Sequence, residues 1–133
     1  MIRFSVARSG ASRRRAILAA CIAVAACATD TAAPDEPKVV RGRPLAPYDI
    51  HEECLRLAVG DRVEYDFSAA APVDFNIHYH EGNAVLAPVV REKVHADSGM
   101  FAPRLAQDYC LMWEAGPAGA VLDYRVRLRP APR

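Results

Sequence analysis

The 133-residue chain lacks the sequence patterns that usually mark a catalytic site. It contains no glycine-rich phosphate loop, no HExxH helix and no CxxC pair. Asp97-Ser98-Gly99 places a serine beside a flexible glycine, but no Gly-x-Ser-x-Gly elbow surrounds that serine. These absences exclude the common phosphate-binding, zinc-protease and serine-hydrolase signatures. They predict a protein that is not an enzyme.

The chain also lacks an apolar run long enough to cross a bilayer as a helix, which takes about 20 residues. The run at 16–26 holds 11 residues, follows an N-terminal stretch whose charges are all positive, and ends next to Cys27. This order predicts a signal peptide over residues 1–27. Val24-Ala25-Ala26-Cys27 resembles the lipobox of bacterial lipoproteins, in which the cysteine is lipidated and becomes the new N-terminus. We therefore expect a lipid-anchored protein on the periplasmic side of a membrane.

Three features of the same segment leave alternatives open. Leu18-Ala19-Ala20-Cys21 fits the lipobox pattern too, although only five apolar residues precede Cys21. Ala26-Cys27-Ala28 is also an A-x-A cleavage site, and its use would release a soluble periplasmic or secreted protein. Arg14-Arg15 resembles the start of a twin-arginine export signal, so the export route is not fixed.

Basic residues are scarce once the predicted signal is removed. After Cys27 the chain carries 12 lysines and arginines against 16 aspartates and glutamates, a net charge of −4. A mildly acidic domain without a basic cluster is not expected to bind nucleic acid. Residues 30–47 hold four prolines and few apolar side chains, so residues 28–47 are predicted to form a flexible tether. Residues 130–133 form a short tail.

Only two cysteines, Cys54 and Cys110, follow the signal segment. In an oxidising compartment the simplest expectation is one disulfide between them. Closing a loop of this length in the unfolded chain stabilises a domain by roughly 4 kcal/mol in the chain-entropy treatment.

Long helical spacing is absent after Tyr48, whereas alternation of apolar and polar residues with period two recurs. The clearest examples are residues 63–67 and 73–79. About seven strands are predicted in chain order, at 55–59, 63–67, 73–79, 85–95, 99–103, 109–113 and 122–128. Pro88 interrupts the fourth, which indicates an edge strand or an irregular one. Short strands at this spacing are typical of an all-β, antiparallel β-sandwich of two sheets, which we expect over residues 48–129.

Three stretches of this pattern resemble the Golgi-dynamics (GOLD) domain. They are Gly60-Asp61-Arg62-Val63-Glu64-Tyr65-Asp66-Phe67, Val73-Asp74-Phe75-Asn76-Ile77, and Tyr109-Cys110-Leu111-Met112-Trp113-Glu114 followed by Leu122-Asp123-Tyr124-Arg125-Val126. The resemblance implies a jelly-roll-like sandwich that makes protein or ligand contacts without catalysis. It does not carry over the cargo-receptor role of that family, because the coiled coil and spanning helix of those receptors have no counterpart in this sequence.

Metal binding is the other chemistry that the residues suggest. His78 and His80 lie two apart on a predicted strand, so both side chains lie on one face and can reach one ion. His51 and His95 are candidate further ligands, with Zn²⁺ or Cu²⁺ as the metal. The simpler interpretation is a solvated strand face, since Asp74 and other polar residues share it.

Two function hypotheses follow. One is a membrane-tethered interaction module that contacts an envelope protein or ligand and needs no cofactor. The other is a periplasmic metal-binding protein using His78 and His80. The sequence gives no oligomeric state.

Overall fold

The structure is a computed structural model that describes residues 36–132. The predicted signal peptide, Cys27 and residues 28–35 of the predicted tether lie outside these residues. The described part folds into six β-strands. They are Lys38–Leu45 (β1), Ile50–Leu57 (β2), Arg62–Glu81 (β3), Ala84–Phe101 (β4), Gln107–Ala115 (β5) and Ala120–Arg129 (β6). Within residues 36–132 there is no helix of the length and apolarity that a membrane span requires.

All six strands belong to one antiparallel sheet with the order β1-β6-β3-β5-β2, and β4 lies along β3. The long strand β3 organises this sheet. Its first part, Arg62–Ala69, pairs with β6, whereas its second part, Val73–Tyr79, pairs with β5. Strand β4 accompanies both parts. The sheet therefore has two halves that share the β3–β4 hairpin.

The sheet curls between these halves at residues 69–73. Between Ser68 and Val73 the register against β4 shifts, so β3 carries more residues there than its partner. Extra residues on one strand bend it and increase its twist. Phe75, beyond the bend, lies 4.8 Å from Phe67 and 5.1 Å from Tyr65 between ring centroids, so the two halves face each other across one core.

Period-two alternation places the core side chains on the inner face of the curled sheet. The buried apolar residues are Leu45, Leu57, Val63, Tyr65, Phe67, Ala69, Val73, Phe75, Ile77, Tyr109, Leu111, Trp113, Ala115, Leu122, Tyr124 and Val126. The alternation predicted at 63–67 and 122–128 is confirmed, and that at 73–79 holds up to Ile77, beyond which His78 is buried as well. The aromatic residues Phe75 and Trp113 lie at the centre of this core.

The predicted all-β, antiparallel class is confirmed, but its details change. One curled sheet of six strands replaces two sheets of about seven strands, and a jelly-roll order is not observed among the described residues. Strand β3 joins the predicted strands 63–67 and 73–79 through Pro72, and β4 joins most of the predicted strands 85–95 and 99–103 and runs through Pro88. Pro88 is tolerated because, among the described strands, β4 pairs only with β3 and is an edge.

The domain begins earlier than the sequence predicted. Residues 28–47 were expected to be a flexible tether, yet Lys38–Leu45 forms β1 and pairs with β6. Leu45 is only 4% exposed and belongs to the core. Pro44 fits in this strand because β1 is an edge. The folded unit therefore includes Lys38 and does not start near Tyr48.

Candidate binding site

The predicted disulfide is present. Cys54 on β2 and Cys110 on β5 are register partners with a Cα–Cα distance of 4.0 Å, and their sulfurs are bonded. The bond joins an edge strand to the strand beside it. It fits a protein that folds in an oxidising compartment.

His78 and His80 share the outer face of β3, as strand geometry predicts, and their ring centroids lie 5.3 Å apart. His78 is nevertheless only 4% exposed. Its Nδ1 lies 2.8 Å from Asn76 Oδ1, and its Nε2 lies 3.6 Å from Glu52 Oε1. Burial lowers the pKa of His78, against the opposing effect of Glu52.

The other two predicted ligands lie elsewhere. His51 contacts the inner-face residue Tyr124, and His95 Nδ1 lies 3.2 Å from the carbonyl oxygen of Ala69. Within residues 36–132, the only three potential ligand groups that come together are Glu52, Cys54 and Cys110. The four histidines therefore do not form one metal site.

A hydrogen-bonded network closes one side of the curled sheet, where edge strands β1 and β2 face each other. The Tyr124 hydroxyl donates to Glu53 Oε2 at 3.0 Å, and His51 Nε2 lies 2.9 Å from the same hydroxyl oxygen. Lys38 on β1 forms an ion pair with Glu53 on β2 at 2.6 Å. His51 and Glu53 reach this place because they point to the same face as Leu57, which is in the core.

Electrostatics keep this network in one protonation pattern. Burial, with a further contribution from Glu53, raises the pKa of Tyr124, so its hydroxyl stays protonated and can donate. His51 Nε2 must then carry the proton that Tyr124 accepts, which leaves Nδ1 as the acceptor. Burial, followed by the nearby Arg43, lowers the pKa of His51. A neutral tyrosine beside a neutral histidine provides positioning and hydrogen bonding, not an activated nucleophile.

A second polar cluster closes the opposite side, between the two parts of β4. Arg91 Nε lies 3.2 Å from Asp97 Oδ2, and the Tyr65 hydroxyl donates to the same carboxylate at 3.3 Å. Burial and then the charge of Asp97 raise the pKa of Tyr65. Both long sides of the core are therefore closed by charged side chains and a tyrosine.

At the end of the sheet away from the bend, the two halves leave a groove with a volume of 730 Å³. We call it the aromatic groove. Its lining residues are Tyr79, Pro88, Phe101, Ala102, Arg104, Leu105 and Tyr109. The ring of Tyr109 lies 5.1 Å from the rings of both Tyr79 and Phe101, and its hydroxyl donates to the Leu105 carbonyl at 3.3 Å. That hydrogen bond holds the β4–β5 loop over the groove.

The chemistry of the aromatic groove suits binding. Its volume is in the range of ligand sites, about 300–1,000 Å³. Leu105 is 51% exposed at its rim, and Arg104 beside it is exposed and brings a cation. The described residues that line it include no carboxylate, histidine, serine or cysteine. It offers aromatic contact, the phenol groups of Tyr79 and Tyr109, and one cation.

Comparison with known proteins shows similarity at the level of the fold. No protein-family profile matches the chain, and no curated protein does. The periplasmic inhibitor of g-type lysozyme from Aeromonas hydrophila, PliG, superposes with a TM-score of 0.52 at 12% identity, covering 71% of this chain and 88% of PliG. A de novo designed double-stranded β-helix gives 0.38 at 16% identity, covering 71% of this chain and 99% of the design. The chain thus shares its fold with PliG, and its resemblance to the GOLD domain stays a prediction.

Sequence reasoning missed both the polar network and the aromatic groove. A signal for the network exists in β2: His51 and Glu53 fall in phase with Leu55 and Leu57, which puts polar side chains on an apolar face. The groove has no comparable signal. Its residues come from β3, β4, β5 and the β4–β5 loop, and only the curl of the sheet brings them together.

Proposed function

We propose that this chain is an exported, non-catalytic binding module, lipid-anchored at Cys27, whose aromatic groove holds a segment of a protein partner in the cell envelope. The aromatic groove carries the proposal. Its walls are aromatic, and Arg104 is the single charged residue among the described residues that line it. Aromatic residues and arginine are the side chains most enriched at the centres of protein interfaces.

Two further observations support an exported protein that binds another protein. The Cys54–Cys110 disulfide suits an oxidising compartment. The fold is shared with a periplasmic protein that inhibits an enzyme, so this architecture is used in that compartment to bind a protein. A lysozyme is accordingly the first partner to test.

The rim of the aromatic groove indicates what the partner presents. Leu105 and Arg104 are neighbours in the loop, and both are exposed. An apolar side chain entering between the tyrosine rings, with a carboxylate next to it, matches this pair in both polarity and charge. We expect a partner segment in which an apolar residue adjoins Asp or Glu.

The test measures binding of the full chain, purified in detergent, to g-type lysozyme, together with lysozyme activity. Arg104→Glu and Leu105→Asp each change the groove, and we expect either to raise the Kd at least about tenfold. Arg125→Glu makes the same charge change on an exposed position of β6 outside the groove and should leave the Kd unaltered. Equal losses for Arg104→Glu and Arg125→Glu would show that net charge, not the groove, governs binding.

The identity of the partner and the role of the aromatic groove can be refuted independently of each other. Absence of lysozyme binding at micromolar concentration removes lysozyme as the partner. A photo-crosslinking amino acid at position 105 then tests the groove in cells. If the crosslinker at position 105 captures no more envelope protein than the same crosslinker at position 125, the aromatic groove is not the binding site.

The anchor has its own test. Intact mass spectrometry of the membrane fraction should find the mature chain starting at a lipid-modified Cys27. Cys27→Ser should abolish the lipid mass, and Cys21→Ser should leave it in place. A Cys27→Ser protein that still carries lipid contradicts the proposed anchor.

A further inference from the structure

A cluster of potential metal ligands lies on the outer face of the sheet, on the opposite side from the aromatic groove. It spans three neighbouring strands, because Cys54 on β2 pairs with Cys110 on β5, and Cys110 pairs with His78 on β3. The ligand atoms of Glu52, Cys54 and Cys110 all lie within 4.8 Å of one another. His78 Nε2 lies 3.6 Å from Glu52 Oε1. Two sulfurs and one carboxylate therefore cluster on this surface, and the His78 imidazole lies next to the carboxylate.

Hydrogen bonding orients the imidazole toward this cluster. Asn76 Oδ1 lies 2.8 Å from His78 Nδ1, and a carbonyl oxygen can only accept, so Nδ1 carries the ring proton. Nε2 is then the atom with the free lone pair, and it faces the Glu52 carboxylate. Metal-binding histidines are commonly fixed in this way, by a hydrogen bond from the ring nitrogen that does not bind the metal.

We propose that Glu52, Cys54, Cys110 and His78 form a Zn²⁺ site that becomes available when the Cys54–Cys110 disulfide is reduced. The disulfide occupies both sulfurs in the oxidised protein, and a cysteine binds zinc only as a thiolate. Two thiolates, one imidazole and one carboxylate supply the four ligands that a four-coordinate zinc ion needs. His80 is not part of the set, since it is exposed, whereas the buried His78 places its Nε2 3.6 Å from Glu52 Oε1.

The redox step uses a dithiol reductant. One reductant thiolate attacks a sulfur of the disulfide and the S–S bond breaks; the reductant's second thiol then displaces the protein, leaving two protein thiols and an oxidised, disulfide-bonded reductant. Two electrons and two protons pass to the protein. Zn²⁺ then replaces the two thiol protons, which are released to water. Cys54 is exposed, so the reductant can reach it.

The experiment uses the full chain in detergent with Cys21→Ser and Cys27→Ser, so that Cys54 and Cys110 are the only cysteines. Oxidised and dithiol-reduced samples are titrated with Zn²⁺ against a chromophoric chelator, and with Co²⁺ to detect thiolate-to-metal charge transfer. We expect one equivalent of metal and a tetrahedral Co²⁺ spectrum in the reduced sample, and neither in the oxidised one. Equal uptake by both samples overturns the proposal.

Single substitutions separate this site from a simple pair of thiols. His78→Ala and Glu52→Gln should each weaken zinc binding at least about tenfold. His80→Ala, on the same face, is the matched control and should bind zinc like the parent protein. If His78→Ala binds as tightly as His80→Ala, the site is only a dithiol chelate and the proposal is wrong.

The zinc site can also be tested if the protein unfolds when its disulfide is reduced. Zinc that binds only the folded state must then restore the strand signal in circular dichroism. The restoration should need more zinc in His78→Ala than in His80→Ala. If zinc fails to restore the strand signal, the ligands do not assemble on the folded sheet and the proposal fails.

Discussion

Gly119→Ala is a sharp test of how β1 joins the domain. Gly119 lies in the turn between β5 and β6 at φ +68°, where its amide donates to the Gly116 carbonyl. A Cβ added there would lie 2.6 Å from the carbonyl oxygen of Leu45, the last residue of β1. The substitution therefore forces the turn against a strand whose end is buried in the core.

The expected cost combines three contributions. An alanine in the left-handed region costs about 1–2 kcal/mol, partly offset by about 0.4–1 kcal/mol from the less flexible unfolded chain. Forcing an atom into packed structure adds about 1–3 kcal/mol. Gly119→Ala should thus lower the free energy of unfolding by about 2–4 kcal/mol. Gly82→Ala is the matched control, because Gly82 has φ +60° and its added Cβ meets nothing within 4 Å.

Urea unfolding followed by circular dichroism measures both variants, with Gly82→Ala expected to cost only about 1 kcal/mol. The comparison holds if the dependence of the unfolding free energy on urea stays the same in the two proteins. If Gly119→Ala costs no more than Gly82→Ala, Leu45 does not pack over this turn. The inclusion of β1 in the folded domain would then be refuted.

Two further predictions concern polar side chains. Tyr124→Phe removes the hydroxyl that donates to Glu53 and should lower the free energy of unfolding by about 1–2 kcal/mol in thermal or urea unfolding. Tyr48→Phe, at an exposed position, is the control and should cause no measurable loss. Equal losses for the two variants would contradict the network. Backbone hydrogen bonds from Ala58 and Ala131 lower the pKa of Asp61, so this carboxylate contributes stability above its unfolded pKa that is lost as the pH falls through its lower folded pKa. Between about pH 5 and pH 3, Asp61→Asn should lose stability less steeply than the parent protein, and identical slopes would contradict this role.

The strand content could be predicted from the sequence because one face of each strand is buried. In the first half of β3, Val63, Tyr65 and Phe67 are buried while Asp66 is exposed, and this alternation is visible without coordinates. The break that the sequence indicated around Pro72 marks a real feature too. It is the bend of a continuous strand instead of the gap between two strands.

The position of β1 could not be predicted, because an edge strand has weak sequence constraints. Most residues of Lys38–Leu45 are exposed, and only Leu45 is buried. Prolines also suggested a tether, although an edge strand tolerates proline. The arrangement of the sheet was equally hidden. Whether strands form one curled sheet or two separate sheets depends on long-range pairing, which local alternation does not encode.

For the candidate sites, the sequence predicted only the features that depend on residues of a single strand or on the single pair of cysteines. The shared face of His78 and His80 follows from the i, i+2 rule, and the Cys54–Cys110 bond follows from having two cysteines. Burial of His78 could not be inferred, since its cover depends on neighbouring strands. The separation of His51 from the other histidines has the same origin, because β2 directs it toward Tyr124 on the inner face.

The closed sides of the sheet bear on how a partner binds. An edge strand can recruit an extended segment of another protein, but inward-pointing charges on edges oppose this. Glu53 on β2 and Asp97 on β4 point toward the core side, where Lys38 and Arg91 pair with them. A segment of another protein that paired with either edge strand would lie beside these ion pairs. If it displaced one member of a pair, the other charge would be buried without its partner, which costs free energy. The described residues that line the aromatic groove include no ion pair, so under the proposed function insertion of a side chain into the groove is more favourable than pairing with an edge strand.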